Sequence, residues 1–359
     1  MFHERAEHIR KWLDGWKIDA AAVMPVAFLL LLFLVSAYNP DTLSAGMAAL
    51  VVMSPVWLPL YLGTFFIISW SEYVRLGFWF QQDFVVLEVQ LPPTVDKNPA
   101  AIEMFLATLH NTGGESTFIA RLWKGSFRAV WSLEIASNEG RIGFYIHTRR
   151  AWRNILEARL YGQFPEAKIA EVDDYAAQVP FTVDDYELWG AEYAKGAVDA
   201  LPIKTYIDWG LEDNPKEEQK TDPITSILEL FGQIGKGEYF WMQIILMGHK
   251  GSKDWHGFFI PGDDFKEKGN KEIEATMIAA AKRAQRIIND NKIEQGRMVT
   301  LTKGENQRIE QIERSMSKLV FDAGIRVIYF ARKENFKGIN VGATVRFFDA
   351  FKGQGTDKA

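Results

Sequence analysis

The chain has 359 residues, a formal net charge of −5 and no cysteine. The missing cysteines exclude disulfides, thiolate metal sites and thiol nucleophiles, and the acidic balance argues against bulk affinity for nucleic acid. The charge is uneven, however: residues 121–160 hold eight bases (Arg121, Lys124, Arg128, Arg141, Arg149, Arg150, Arg153, Arg159) against three acids, while 166–229 hold sixteen acids against five bases.

Taken in chain order, residues 1–19 form a short polar segment with Arg5, Arg10, Lys11 and Lys17. Two apolar spans follow, 20–38 and 46–70. As helix the first would be about 28 Å long, close to the hydrocarbon thickness of a bilayer, and Pro55 and Pro59 predict a kink in the second. The loop between them carries no Lys or Arg, so the positive-inside bias places both chain ends in the cytoplasm and makes residues 20–80 a membrane hairpin with an interfacial junction at Trp70–Phe80. The hairpin has no ionisable residue suited to transport, so it reads as an anchor and not a channel. Cleavage of residues 1–37 as a signal peptide, after Val35-Ser36-Ala37, is the competing reading.

From Phe84 to Leu91 the residues alternate as a strand, and Ile102, Phe105, Leu106 and Leu109 recur at helical spacing. Trp131–Ile135 and Ile142–Ile146 alternate on either side of the turn Ser137-Asn-Glu-Gly140, which predicts a hairpin. Trp152, Ile155, Leu156 and Leu160 mark a second helix, and Ala167–Val172 a last strand. The order βαββαβ over residues 81–180 is that of a ferredoxin-like unit. A second unit, 181–359, reads as a strand at Glu187–Lys195, a helix at Ile224–Ile234 and a strand at Tyr239–Leu246. A helical insertion at 271–320 follows, then a strand at Ile325–Phe330 and a short helix at Val341–Phe351. It repeats the first unit with its final strand missing, which points to a longer native product or to a partner that supplies the strand. The fold class is therefore α+β, with a transmembrane hairpin followed by two ferredoxin-like units.

No motif of established chemistry is present. Gly235-Lys236 lacks the upstream glycine and the following Ser or Thr of a phosphate-binding loop, and there is no G-x-S-x-G elbow, H-E-x-x-H pair or Rossmann fingerprint. His249 and His256, with Asp254, Asp263 and Asp264, lack metal-ligand spacing. The pairs Asp173-Asp174 and Asp184-Asp185 read as turn and linker residues, and His110 and His147 as hydrogen-bonded structural histidines. Neither cofactor, metal nor small-molecule substrate is implied. RNA-recognition domains share the βαββαβ order and carry stacking aromatics on central strands. Arg141-Ile-Gly-Phe-Tyr-Ile146 bears a faint likeness to that motif, with Arg121, Lys124, Arg128, Arg149, Arg150 and Arg153 around it as candidate contacts for nucleic acid or a partner.

The segments "VVLEVQLP", "AAIEMFLATLHN" and "WSLEIASNEGRIGFYIHTRRAWRNILEARLYGQFPEAKIAEVDDY", with the later "LTKGENQRIEQIERSMSKLVFDAGIRVIYFARKENF", occur in an order that resembles a family of membrane proteins of candidate-phyla bacteria associated with type IV secretion and conjugative transfer. That family is similar to the N-terminal region of the large conjugative ATPase, whose ATPase domain has no counterpart in this sequence. The resemblance covers most of residues 84–336 and implies a non-catalytic, multi-pass inner-membrane component that docks a separate secretion ATPase or other subunits at the cytoplasmic face. The alternative is a membrane-tethered nucleic-acid-binding protein using the basic 121–160 region.

Overall fold

The computed structural model describes residues 44, 46, 48, 51–92, 99–115, 117–211, 224–255, 258–261, 264–291 and 301–352. The chain divides into two compact units, Met1–Trp70 and Ser71–Ala359.

The first helix, α1, runs from Ser54 to Phe80. The expected placement as a multi-pass protein of the inner membrane, both ends in the cytoplasm, is overturned. Among the described residues no helix is long and apolar enough to cross a membrane. The physical reason is visible in α1 itself: Pro55, Pro59, Gly63, Thr64, Ser69 and Ser71 dilute the apolar run, and Glu72 and Arg75 follow within the next turn. The other expected span, 20–38, lies outside the described residues. Nor is the expected interfacial junction free of protein: Trp79 stacks on Phe127 at 5.3 Å and meets Phe84 at 4.8 Å.

Beyond α1 the molecule is α+β. Strands β1 (Phe84–Gln90), β2 (Val130–Asn138), β3 (Arg141–Arg149), β4 (Lys168–Val172), β5 (Tyr186–Tyr193), β6 (Glu238–Gly248) and β9 (Phe321–Arg332) form one seven-stranded sheet in the order β4-β1-β3-β2-β6-β9-β5. Every pairing in it is antiparallel. A separate hairpin pairs β7 (Ser252–Trp255) with β8 (Phe258–Pro261), two strands that the sequence reading does not contain. The helices are α2 (Ala100–Leu109), α3 (Phe118–Leu122), α4 (Arg153–Gln163), α5 (Thr225–Gln233), α6 (Asp264–Asn291), α7 (Lys303–Ser317) and α8 (Gly338–Val345).

The expected element order is present in both halves, but the halves share one sheet. Nine successive residues of β2, Val130–Asn138, face Met247–Tyr239 of β6. The β2–β3 turn follows from its residues: Glu139 and Gly140 have φ of 55° and 85°, the two positive values that a two-residue type I′ hairpin requires. A Cβ on Gly140 would stand 2.9 Å from the Ile234 carbonyl, so only glycine fits there.

Because side chains alternate across a strand, each strand sends one set of residues to the helical layer. Over the first half Val85, Leu87, Trp131 and Ile146 pack with Phe105 and Leu109 of α2 and Leu156 and Leu160 of α4. Over the second half Phe240, Met242, Val327 and Tyr329 pack with Ile227 and Phe231 of α5, and Val341 of α8 joins them. Burying a large apolar side chain contributes about 1.5–3 kcal/mol, so these two clusters dominate the stability of the sheet. A smaller cluster joins Ala200 and Leu201 to Ile312 of α7 and Phe265 and Ile273 of α6.

The opposite face of the sheet is crossed by the connection between the halves. Tyr175, 2 % exposed, lies on Tyr145 at 4.8 Å and edge-on to Trp241 at 5.2 Å. Its hydroxyl donates to Glu134 Oε2 at 2.7 Å and accepts from Gln243 Nε2 at 3.1 Å. Burial first, then the Glu134 carboxylate, push the Tyr175 phenol far above its ordinary pKa, which keeps it a donor. Further along, Val179 and Phe181 reach Tyr186, Tyr239 and Phe330.

Candidate functional site

The basic residues singled out in the sequence do not converge on one surface. Arg128 is buried, ion-paired with the equally buried Glu115, and donates from Nη1 to the Gly248 carbonyl at 2.6 Å. Arg149 is also buried; its Nη2 donates to the Arg128 carbonyl at 3.0 Å and its guanidinium stands 5.1 Å from the Phe127 ring centre. Desolvation pulls the Arg149 pKa below the ordinary arginine value. Arg150 donates to Asp83 Oδ2 at 2.5 Å and, through both terminal nitrogens, to Glu171 at 2.8 and 3.2 Å. Arg153 bonds Glu157 Oε1 at 2.8 Å and also reaches Glu171. Hydrogen bonding to Arg150 holds the Glu171 carboxyl below the usual carboxylate range.

Arg121 Nη1 donates to the Glu115 carbonyl at 3.1 Å, and Lys124 is exposed just past α3. Arg141 is exposed on β3, where it lines a cleft of about 290 Å³ with Glu88, Asn138, Tyr145, Asp173 and Gln178. Of the two aromatics in the RNA-like motif, Tyr145 is covered by Tyr175, while Phe144 is exposed. A second cleft of about 560 Å³ opens beside the end of α1, walled by Leu76, Trp79, Phe127, Val130 and Met247 around the Glu115–Arg128 pair.

The other sequence candidates settle into structural contacts. His249 Nδ1 lies 2.7 Å from Asp322 Oδ1, while His256 and Asp263 fall outside the described residues. Asp174 Oδ1 accepts from the Ala176 N–H at 2.8 Å and Asp185 Oδ2 from the Thr182 hydroxyl at 2.6 Å, both local turn bonds. His110 Nε2 lies 3.0 Å from the Val320 carbonyl, and His147 Nδ1 stands 3.9 Å from Glu134 Oε1. Among the described residues no group of three or more His, Cys, Asp or Glu is placed to hold a metal ion.

What remains open is an edge of the sheet. In the first half β4 closes the sheet by pairing with β1, Val86 opposite Val172 and Gln90 opposite Lys168. In the second half β5 occupies the place of β1. Tyr186 faces Arg332 on β9 as Phe84 faces Arg149 on β3, yet β5 is a terminal strand of the sheet, as β4 is at its other end. The Lys333 N–H donates to the Asp185 carbonyl at 3.0 Å. Since backbone groups alternate sides along an antiparallel strand, residues 187, 189, 191 and 193 bond toward β9, and Leu188, Gly190 and Glu192 turn their N–H and C=O groups outward.

All three of these residues are exposed, Leu188 at 54 %. Asp184, Asp185 and Glu187 are exposed beside them. Arg326, opposite Glu192 on β9, donates its Nε to Gln243 Oε1 at 2.5 Å and not to Glu192. Which β5 residues turn outward depends on the β5–β9 register, which no pattern in the sequence gives. No protein-family model, curated protein or solved structure matches this chain.

Proposed function

We propose that this chain is a docking subunit, without catalysis of its own, of a type IV secretion or conjugation-like transfer machine, and that its two halves are ferredoxin-like units fused edge to edge. One observation carries the docking reading. Helices cover one face of the sheet and residues 173–181 cross the other, while the β5 edge keeps its outward hydrogen-bonding groups exposed. Edge strands left in that state are templates for pairing with another chain, and natural proteins commonly blunt them. The attribution to a transfer machine rests on the ordered resemblance of residues 84–336, and the expected partner is an ATPase carried on a separate chain. The basic residues favour this reading over nucleic-acid binding, since Arg128, Arg149, Arg150 and Arg153 are engaged within the fold.

The test is gentle affinity purification of the full chain from the cell that encodes it, with identification of whatever accompanies it. A stoichiometric nucleotide-hydrolysing subunit bearing a Walker motif is the expected companion. Purification that recovers the chain without any such ATPase or secretion subunit removes the reading.

A further inference from the structure

We infer that the cleft of about 290 Å³ between β1, β3 and the connection at residues 173–178 binds a free α-amino acid, its ammonium held by Glu88 and Asp173 and its carboxylate by Arg141. This goes beyond the docking reading and does not rest on it.

The floor is built by β3. Side chains alternate along a strand, so Arg141, Gly143 and Tyr145 share the face against which Tyr175 lies. Gly143 lets the Tyr145 ring lie along the strand in the direction of Arg141: a Cβ there would stand 2.6 Å from Tyr145 Cζ and 2.7 Å from Cε2. Among the described residues the Tyr145 hydroxyl has no hydrogen-bond partner. Burial first, then the Glu88 carboxylate, hold this phenol above its ordinary pKa, while Arg141 acts in the opposite sense. It is therefore a donor at neutral pH, within the field of both charges. Asn138 gives its Oδ1 to the Trp241 indole N–H at 2.9 Å, which leaves the amide NH2 as a further donor toward the cleft.

Charge selects the ligand. Glu88 lies opposite Tyr145 on β1, Asp173 follows the end of β4, and Arg141 stands at the start of β3. All three line the cleft, yet among the described residues none of them is in an ion pair within 4.0 Å. Opposite charges that face one small volume without meeting leave room for a molecule that carries both, and each of its ends gains a charge-assisted hydrogen bond. A simple anion or a simple cation would meet a like charge in the same cleft. The volume lies just below the roughly 300–1,000 Å³ of drug-sized ligand sites, which suits an amino acid better than a nucleotide. A nucleotide is opposed twice more: Glu88 and Asp173 repel phosphate, and Tyr175 covers the Tyr145 ring on which a base would stack.

The test uses the full chain and the common L-amino acids, titrated singly by calorimetry at neutral pH, with the α-amide and the N-acetyl derivative of each one that binds. At least one amino acid is expected to bind with a Kd below about 1 mM. Its amide, which lacks the carboxylate, and its N-acetyl form, which lacks the ammonium, should bind more weakly by roughly tenfold or more. Arg141→Ala changes an exposed residue and should weaken binding by the same factor, as should Glu88→Gln combined with Asp173→Asn. Because Asp173 and Gln178 belong to the connection between the halves, the bound amino acid should also slow amide hydrogen exchange within residues 173–178. Failure of every amino acid to bind overturns the inference. So does binding of either derivative as tight as that of the parent amino acid, binding unchanged in Arg141→Ala, or protection confined to another part of the chain.

Discussion

Arg149 and Arg141 look equivalent in the sequence, two arginines at the ends of one β-strand in a basic region, and the fold gives them opposite work. Arg149 is buried, and its charge is balanced by the carbonyls of Phe127 and Arg128 and by the faces of Phe78 and Phe127, not by a carboxylate. It fastens the end of α1 and the approach to β2 onto the end of β3. Removing it forfeits cation–π contact and packing and leaves buried carbonyls short of a donor, so Arg149→Ala should cost about 2–3 kcal/mol of unfolding free energy. Arg141 is exposed, and Arg141→Ala should change stability by less than about 0.5 kcal/mol. Urea denaturation of both variants checks the contrast; equal effects would mean that Arg149 is not held as described. A basic cluster was legible in the sequence. The burial of Arg128 and Arg149 within it was not, because nothing in a string of residues shows that Phe78 and Phe127, themselves in edge-to-face contact, will stand beside the Arg149 guanidinium.

At the scale of elements, α6 and α7 fall in the stretch that the sequence marks as a helical insertion, and ion pairs join them beside the apolar contact of Phe265 and Ile273 with Ile312. Thr302 caps α7 through a reciprocal pair of bonds: the Glu305 N–H donates to the Thr302 hydroxyl at 3.3 Å, and the Thr302 N–H donates to Glu305 Oε2 at 2.8 Å. Glu305 also receives both Arg283 terminal nitrogens at 2.6 and 2.8 Å, and Arg308 bonds Glu272 at 2.6 Å. Arg283 above all, with the Thr302 N–H, lowers the Glu305 carboxyl from 4.5 to about 2. A carboxylate depressed by folding contributes stability that is complete above its unfolded value and is lost as pH falls toward the folded one. The α6–α7 hairpin should therefore loosen between about pH 4.5 and pH 2, read as faster hydrogen exchange in α7, and Glu305→Gln should remove that part of the pH dependence. Thr302→Ala should separately cost about 1 kcal/mol through loss of the cap. An exchange rate in α7 indifferent to both pH and Glu305→Gln would show that the contact contributes nothing. The β7–β8 hairpin escaped the sequence reading for a related reason: strands of four residues in a stretch rich in Gly, Lys and Asp give no period to detect.

For the whole molecule, the order of strands and helices could be read along the chain, but not that its halves share one sheet. A trace of that fusion lies in Tyr239-Phe-Trp-Met-Gln-Ile-Ile-Leu246, which is apolar at nearly every position where a half-exposed strand would alternate. Such a run belongs to a strand covered on both faces and paired on both edges, and β6 is so placed, between β2 and β9. The β2–β6 seam carries nine residue pairs with Ile135 opposite Met242 near its middle, and the flanking core clusters reach both strands. Cutting the chain between residues 180 and 181 leaves that seam intact in the pair of fragments but exposes it in each alone. Fragment 181–359 would then present β6 as a long, apolar, unpaired edge, the kind that drives aggregation. Expressed alone it should be largely insoluble, and co-expression with 81–180 should return it to solution as a one-to-one complex on size-exclusion chromatography. If each fragment instead elutes as a stable folded monomer, the halves are independent domains, and the central pairing contributes little to either.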